Sequence, residues 1–186
     1  MITLPAPHKV ELPELAALPA DLAVREVASL LPHLVRDKQM LGSRLLSMLE
    51  RPGGKDPWVA ARWRGEDDSY ALQLFVWPAH AASAIHDHSC WGAICAASGT
   101  LLETRYRRLD DGSQANQARL KMDWQRALQT GDPASTLMPY DGGIHRVCNP
   151  GDRTVLSLHL YGPSGPIDGR DYDPRYDYVC DRLVGD

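Results

Sequence analysis

The chain has 186 residues, 44% hydrophobic and 24% charged, with a formal net charge of −4. This is an ordinary globular composition, and the length is enough to bury a core without staples. The absence of a basic block argues against a nucleic-acid or anionic-membrane partner, and no apolar run reaches the roughly 18 residues of a membrane span.

The first residues, MITLPAPHKVELPEL, lack the basic and continuously apolar regions of a secretory leader. The four cysteines, Cys90, Cys95, Cys148 and Cys180, form no CxxC pair and fit no zinc-finger spacing. Free thiols in a reducing cytoplasm are expected, with Cys95 and Cys148 as small buried residues. One domain, 1–186, is expected, with a helical part at 1–54 and a β-rich part with a tail at 55–186.

Residues 14–50 read as helical. In DLAVREVASLLPHL, Leu22, Val27, Leu30, Leu31 and Leu34 recur at helical spacing. Asp21 is the expected N-cap, and Pro32 is expected to end or kink the helix. A second helix, DKQMLGSRLLSMLE, starts at Asp37, places Met40, Leu41, Leu45 and Met48 on one face, and stops at RPGG, 51–54.

After Pro57 the character changes to strands. YALQLFVWP (70–78) is aromatic and branched; 83–106 reads as two or three strands with a turn at Gly99. LDDGSQANQ reads as a hairpin tip, and a second turn falls at Gly131–Pro133. IHRVCNPGDRTVLSLHLYG (144–162) reads as two strands around NPGD, and the Gly-, Pro- and Asp-rich tail reads as mostly irregular. Short strands behind helices predict a small antiparallel barrel or double-sheet jelly roll, which can enclose a metal or ligand.

IHDHSCWG, 85–92, carries the chemistry. On a strand, side chains alternate, so His86 and His88 share a face and Asp87 points away. Two imidazoles then meet at one metal. His8, His33 and His80 lack supporting context, which leaves His145 and His159 as further candidates. In VLSLHLYG, Ser157, His159 and Tyr161 share one face and Leu156, Leu158 and Leu160 the other. Three polar groups on an inward face are costly unless bonded to each other or a ligand, so they read as a relay beside the metal. Neutral imidazoles alone suit zinc, iron, manganese or nickel, and leave open positions for an anionic substrate such as a thiolate. Cys90 continues the His86/His88 face, but as a fourth ligand it would close a position the chemistry needs.

WPAHAASAIHDHSCWG, GGIHRVCN and SLHLYG, in that order, resemble the thiol dioxygenase family of the cupin superfamily, which includes cysteine dioxygenase and bacterial 3-mercaptopropionate dioxygenase. The likeness runs from about Trp58 to Arg170. It implies a cupin-type antiparallel β-barrel (jelly roll) with N-terminal helices. It also implies one non-haem Fe(II) per chain on His86, His88 and His145, with Ser157, His159 and Tyr161 as an outer triad. The implied reaction adds O2 to the sulfur of a small carboxylated thiol, giving a sulfinate, with 3-mercaptopropionate slightly ahead of L-cysteine.

By the same resemblance, Gly92 occupies the place of the cysteine that mammalian relatives crosslink to the triad tyrosine, so Tyr161 should be uncrosslinked. Arg170, nine residues after Tyr161, matches the arginine that binds the substrate carboxylate in the bacterial enzymes, and a guanidinium fork suits that task. The chain departs from the pattern in WVAARWRG: Ala60 stands where relatives place an arginine or glutamine, and Arg62 or Arg64 could substitute if the register differs. A thiol of different charge, such as mercaptosuccinate, would also suit that change. The competing readings are another three-histidine cupin enzyme, a diketone-type dioxygenase or isomerase, and a metal- or small-molecule-binding cupin sensor. The first does not account for Ser157, His159 and Tyr161, and no extra interaction module is visible to support the second.

Overall fold

A computed structural model describes residues 15–36, 54–65, 69–113, 118–163, 178–179 and 182–183. The expected second helix, at 37–50, and Arg170 lie outside these residues.

Among the described residues, one α-helix, α1 (Ala20–Arg36), precedes the strands. It begins a residue before Asp21, because Pro19 supplies the carbonyl for the first turn and accepts from the N–H groups of Leu22 and Ala23. Asp21 therefore sits inside the first turn, where its carboxylate faces the positive helix end. Pro32 lies within the helix, which continues to Arg36. The missing N–H is outweighed by tertiary packing, since Leu31, Leu34 and Val35 around it are all buried. Leu22 falls off the buried stripe of Ala23, Val24, Val27, Leu31 and Leu34, and is exposed.

The strands form two sheets. The first, in spatial order, comprises β1 (Trp58–Arg64), β2 (Ala71–Trp77), β9 (Val155–Tyr161), β4 (Gly92–Ser98) and β7 (Ser135–Leu137). The second comprises β10 (Tyr178–Val179), β3 (His86–Asp87), β8 (His145–Cys148), β5 (Thr100–Arg108), β6 (Arg119–Gln129) and β11 (Arg182–Leu183). Every pair but β6–β11 is antiparallel. The mainly β, double-sheet jelly-roll architecture with an N-terminal helix is thus as expected, built from two sheets rather than one closed cylinder. Gly99 makes the β4–β5 turn at φ 64°, a conformation that costs glycine nothing.

The central strands of the first sheet, β4 and β9, are buried on both faces. Helix α1 covers Leu72, Leu74, Ala93, Cys95, Leu158 and Leu160 on one side. Trp77, Ile94 and Ala96 pack on the other side with Leu101, Leu128 and Val147 of the second sheet. Each fully buried aliphatic side chain contributes about 1.5–3 kcal/mol. The alternation in β9 decides the rest: its leucines face the helix, so Ser157, His159 and Tyr161 enter the space between the sheets.

Candidate metal centre and polar chain

His86 on β3 lies directly opposite His145 on β8, so sheet register alone brings these two imidazoles together. His88 arrives differently. Strand β3 ends at Asp87, and His88 lies beyond it, its carbonyl accepting from the N–H of Tyr140 at 2.7 Å. That bond ties the residue to the 3-10 turn Tyr140–Gly143, immediately before His145. The expected strand over 84–88 is thus shorter, but the two histidines still converge. One ligand nitrogen from each of His86, His88 and His145 lies within 4.8 Å of the other two. Asp87 is buried and outside the group, as is Cys90.

The hydrogen bonds orient the rings. His86 Nδ1 lies 3.0 Å from the Ala84 carbonyl, and His145 Nδ1 lies 3.2 Å from Glu103 Oε1. Both acceptors require N–H on Nδ1, which leaves the Nε2 lone pairs for a metal. Among the described residues, the buried His145 Nε2 has no hydrogen-bond partner, a costly state that a metal would relieve. Burial, then the neighbouring His86, hold the pKa of His88 and His145 well below that of a free imidazole. The neutral rings are therefore ready to ligate, and the donor set fits a divalent transition metal.

Glu103 is the member of this region that sequence reading missed. Its carboxylate is 0% exposed, yet it receives Arg105 Nε at 2.8 Å, His145 Nδ1 and the Ser135 hydroxyl, with Arg126 at 3.8 Å. Arg105, also buried, donates further to Ser135 and to the Thr136 carbonyl. The available signal was Glu103–X–Arg105 in TLLETRYRR: strand alternation puts both on the face of Leu101, which is fully buried. Charges two apart on a buried face have to pair.

Ser157, His159 and Tyr161 form a continuous chain. Ser157 Oγ is 2.7 Å from His159 Nε2, and His159 Nδ1 is 2.8 Å from the Tyr161 hydroxyl. The Tyr161 ring lies 4.8 Å from that of His88, so this chain ends beside the histidine group. Gly92 pairs with Tyr161, and a Cβ there would sit 2.8 Å from Tyr161 Cδ1. The bare glycine leaves room for the ring.

Burial lowers the His159 pKa to about 3. A depressed histidine pKa means that the unfolded chain takes up a proton first, so stability falls as pH drops below the ordinary value near 6.5 and goes on falling towards 3. At pH 5 this single residue should cost about 2 kcal/mol relative to neutrality. Denaturation curves of wild type and His159→Asn at pH 7 and 5 check it: the variant should lose less on acidification, and equal losses would contradict a buried neutral His159.

The β1 register bears on the arginines. Ala60 is the residue skipped by a register shift between Val59 and Ala61. Arg62 then pairs with Gln73, which pairs with His159; Arg64 pairs with Ala71, which pairs with Tyr161. Directly paired residues share a sheet face, so both arginines stand on the relay's face, at its exposed edge. None of Cys90, Cys95 and Cys148 is in a disulfide; Cys95 is buried, which pushes its thiol up to about 11, and Cys148 is half-buried. No helix among the described residues is long and apolar enough to cross a membrane.

A family model described as cysteine dioxygenase type I matches residues 62–175, more than half of the chain. No curated protein matches it. Among solved structures, the chain is similar to a cupin 2 conserved barrel domain protein from Salinispora arenicola, at 19% identity over 57% of this chain and 73% of that one, with a TM-score of 0.38. It is also similar to TT1209 from Thermus thermophilus, at 19% identity over 63% and 93% of the two chains (TM-score 0.44). The Cnp3 cupin domain of Schizosaccharomyces pombe is 14% identical over 58% and 61%, with a TM-score of 0.43.

Proposed function

The chain belongs to the cysteine dioxygenase type I family, and from that premise we propose that it is an Fe(II)-dependent thiol dioxygenase acting on a small carboxylated thiol, 3-mercaptopropionate ahead of L-cysteine. The net reaction is R–SH + O2 → R–SO2H, with both oxygen atoms on sulfur. The observation that carries this reading is the meeting of two constellations: the three-histidine group and the Ser157–His159–Tyr161 chain that ends beside His88.

His86, His88 and His145 would hold the metal. Iron, when bound, supplies the redox chemistry that joins dioxygen to sulfur. Three neutral imidazoles would leave a divalent charge uncompensated and favour a thiolate over a thiol at the site. His159 fixes the Tyr161 hydroxyl by a hydrogen bond, and Tyr161 presents it to the reactants. The flanking apolar side chains, Ile94 and Leu137, exclude water from that end of the relay.

Arg170 or Arg62 would bind the substrate carboxylate. In the sequence, Arg170 falls between Tyr161 and β10, the strand that pairs with His86 and Asp87. Arg62 stands on the relay's face of the sheet. Removing a charged hydrogen-bond donor from a desolvated ion pair costs roughly 2–5 kcal/mol. Arg170→Ala should therefore raise the Michaelis constant at least tenfold with little change in metal content, and Arg62→Ala should change it less. The reverse ranking would transfer the role to Arg62.

Oxygen consumption by anaerobically Fe(II)-loaded protein tests the function itself. It should be measured against 3-mercaptopropionate, L-cysteine, cysteamine and mercaptosuccinate. Rapid uptake with a carboxylated thiol, and the sulfinate as product, is expected. No uptake with any of the four, at one iron per chain, would overturn the proposal.

A further inference from the structure

We propose that Trp77 is a positioning residue that heads a one-way hydrogen-bond chain, Trp77 to Ser157 to His159 to Tyr161, and thereby makes Tyr161 a hydrogen-bond donor towards the reactants. The role of that last donor rests on the dioxygenase reading; the direction of the chain does not.

The direction follows from what each group can do. The Trp77 indole is a donor only, is 2% exposed, and lies 2.8 Å from Ser157 Oγ. Ser157 must accept from it. Ser157 is 0% exposed, and among the described residues its hydroxyl has two partners, Trp77 and His159. Accepting from both would leave the serine hydrogen buried without an acceptor, a cost of about 1–3 kcal/mol. Ser157 therefore donates to His159 Nε2. That nitrogen then carries the lone pair, so the neutral ring carries its hydrogen on Nδ1 and donates to the Tyr161 oxygen. Tyr161 accepts from His159 and keeps its own hydrogen for a different acceptor.

Without the indole the chain has no fixed end. The serine hydroxyl could then accept from His159 Nε2–H, and Tyr161 would donate to His159 Nδ1, turning its hydrogen away from the reactants. Trp77 is itself held in place: its ring stacks 6.0 Å from Phe75, and Asn149 Nδ2 donates to its carbonyl. Phe75 lies 4.4 Å from the His159 ring and keeps that imidazole in its slot.

Long-range 1H–15N correlation spectra of the full chain, loaded with Zn(II) to avoid iron's paramagnetism, read the tautomer directly. Wild-type His159 should appear as Nδ1–H. In Trp77→Phe, and in Ser157→Ala, the Nε2–H form should appear. An Nε2–H form in the wild type overturns the proposal, as does an unchanged Nδ1–H form in both variants. If Trp77→Phe fails to fold, the wild-type spectrum and Ser157→Ala still decide the matter. In the iron-loaded enzyme the turnover number of Trp77→Phe should fall about tenfold, with the Michaelis constant for the thiol unchanged. The double variant Trp77→Phe/Ser157→Ala should be no worse than the poorer single one; additive losses would mean that the two residues act separately, against the chain. The spectra read the tautomer whether or not a thiol is the substrate, so their failure is distinct from a failure of oxygen uptake.

Discussion

His145→Ala is expected to abolish oxygen uptake and to weaken metal binding by about two orders of magnitude. Apparent binding energies of about 10–16 kcal/mol for four-ligand zinc sites amount to roughly 3 kcal/mol per ligand, which is about a hundredfold in affinity. The choice of His145 rests on its surroundings. Its Nε2 is buried and has no hydrogen-bond partner among the described residues, while Nδ1 is committed to Glu103. No group among the described residues uses the Nε2 lone pair, which a metal held beside His86 and His88 would take up. Metal content after dialysis against a weak chelator, together with oxygen uptake, checks the prediction. His80→Ala, at an exposed residue paired with Asp152, serves as the control and should change neither. Wild-type metal content in His145→Ala would remove this residue from the centre.

Glu103→Ala should destabilise the fold by about 3–5 kcal/mol and weaken metal binding by about tenfold to a hundredfold. Two separate effects combine. The first is electrostatic: Arg105 is 8% exposed and its charge is balanced at close range by Glu103, so the variant leaves a buried guanidinium without its counter-charge. For a chain of this length the cost corresponds to a melting temperature lower by roughly 10 °C. The second is geometric. Glu103 holds His145 with hydrogen on Nδ1 and leaves Nε2 to the three-histidine group, and without it the ring can rotate or change tautomer. Glu103→Gln separates the two. The amide oxygen can still accept from His145, so metal binding should largely survive while the charge imbalance beside Arg105 remains. Thermal unfolding of the metal-free variants and zinc competition with a chromophoric chelator measure the two effects independently. A Glu103→Ala protein of wild-type stability and affinity would show that this buried network does not matter to the site.

The contrast between His86 and His88 shows how the site could be read from sequence, and where that reading stopped. His–X–His predicted convergence through strand alternation, yet β3 contains only His86 and Asp87. His88 converges because its carbonyl is tied to the turn before His145, a contact between segments about fifty residues apart in the chain. The spacing pointed to two residues that do converge, through only part of the cause. For β9 the alternation was the whole cause: Ser–X–His–X–Tyr puts three polar groups on one face whatever lies around it, and their mutual hydrogen bonds follow.

Local pattern by itself determined most of the strands, the two turn glycines and the shared polar face of β9. These depend on side-chain periodicity and backbone freedom, which are properties of neighbouring residues. Tertiary structure alone decided the rest. It carried α1 through Pro32, because sheet packing outweighs one missing hydrogen bond. It skipped Ala60 in the β1 ladder and so set Arg62 and Arg64 on the relay's face, because register is fixed by pairing with another strand. It also joined Glu103 to His145 and Trp77 to Ser157, contacts between residues 42 and 80 positions apart. Such partners are chosen by which strands lie side by side and which faces meet, and no local spacing encodes that.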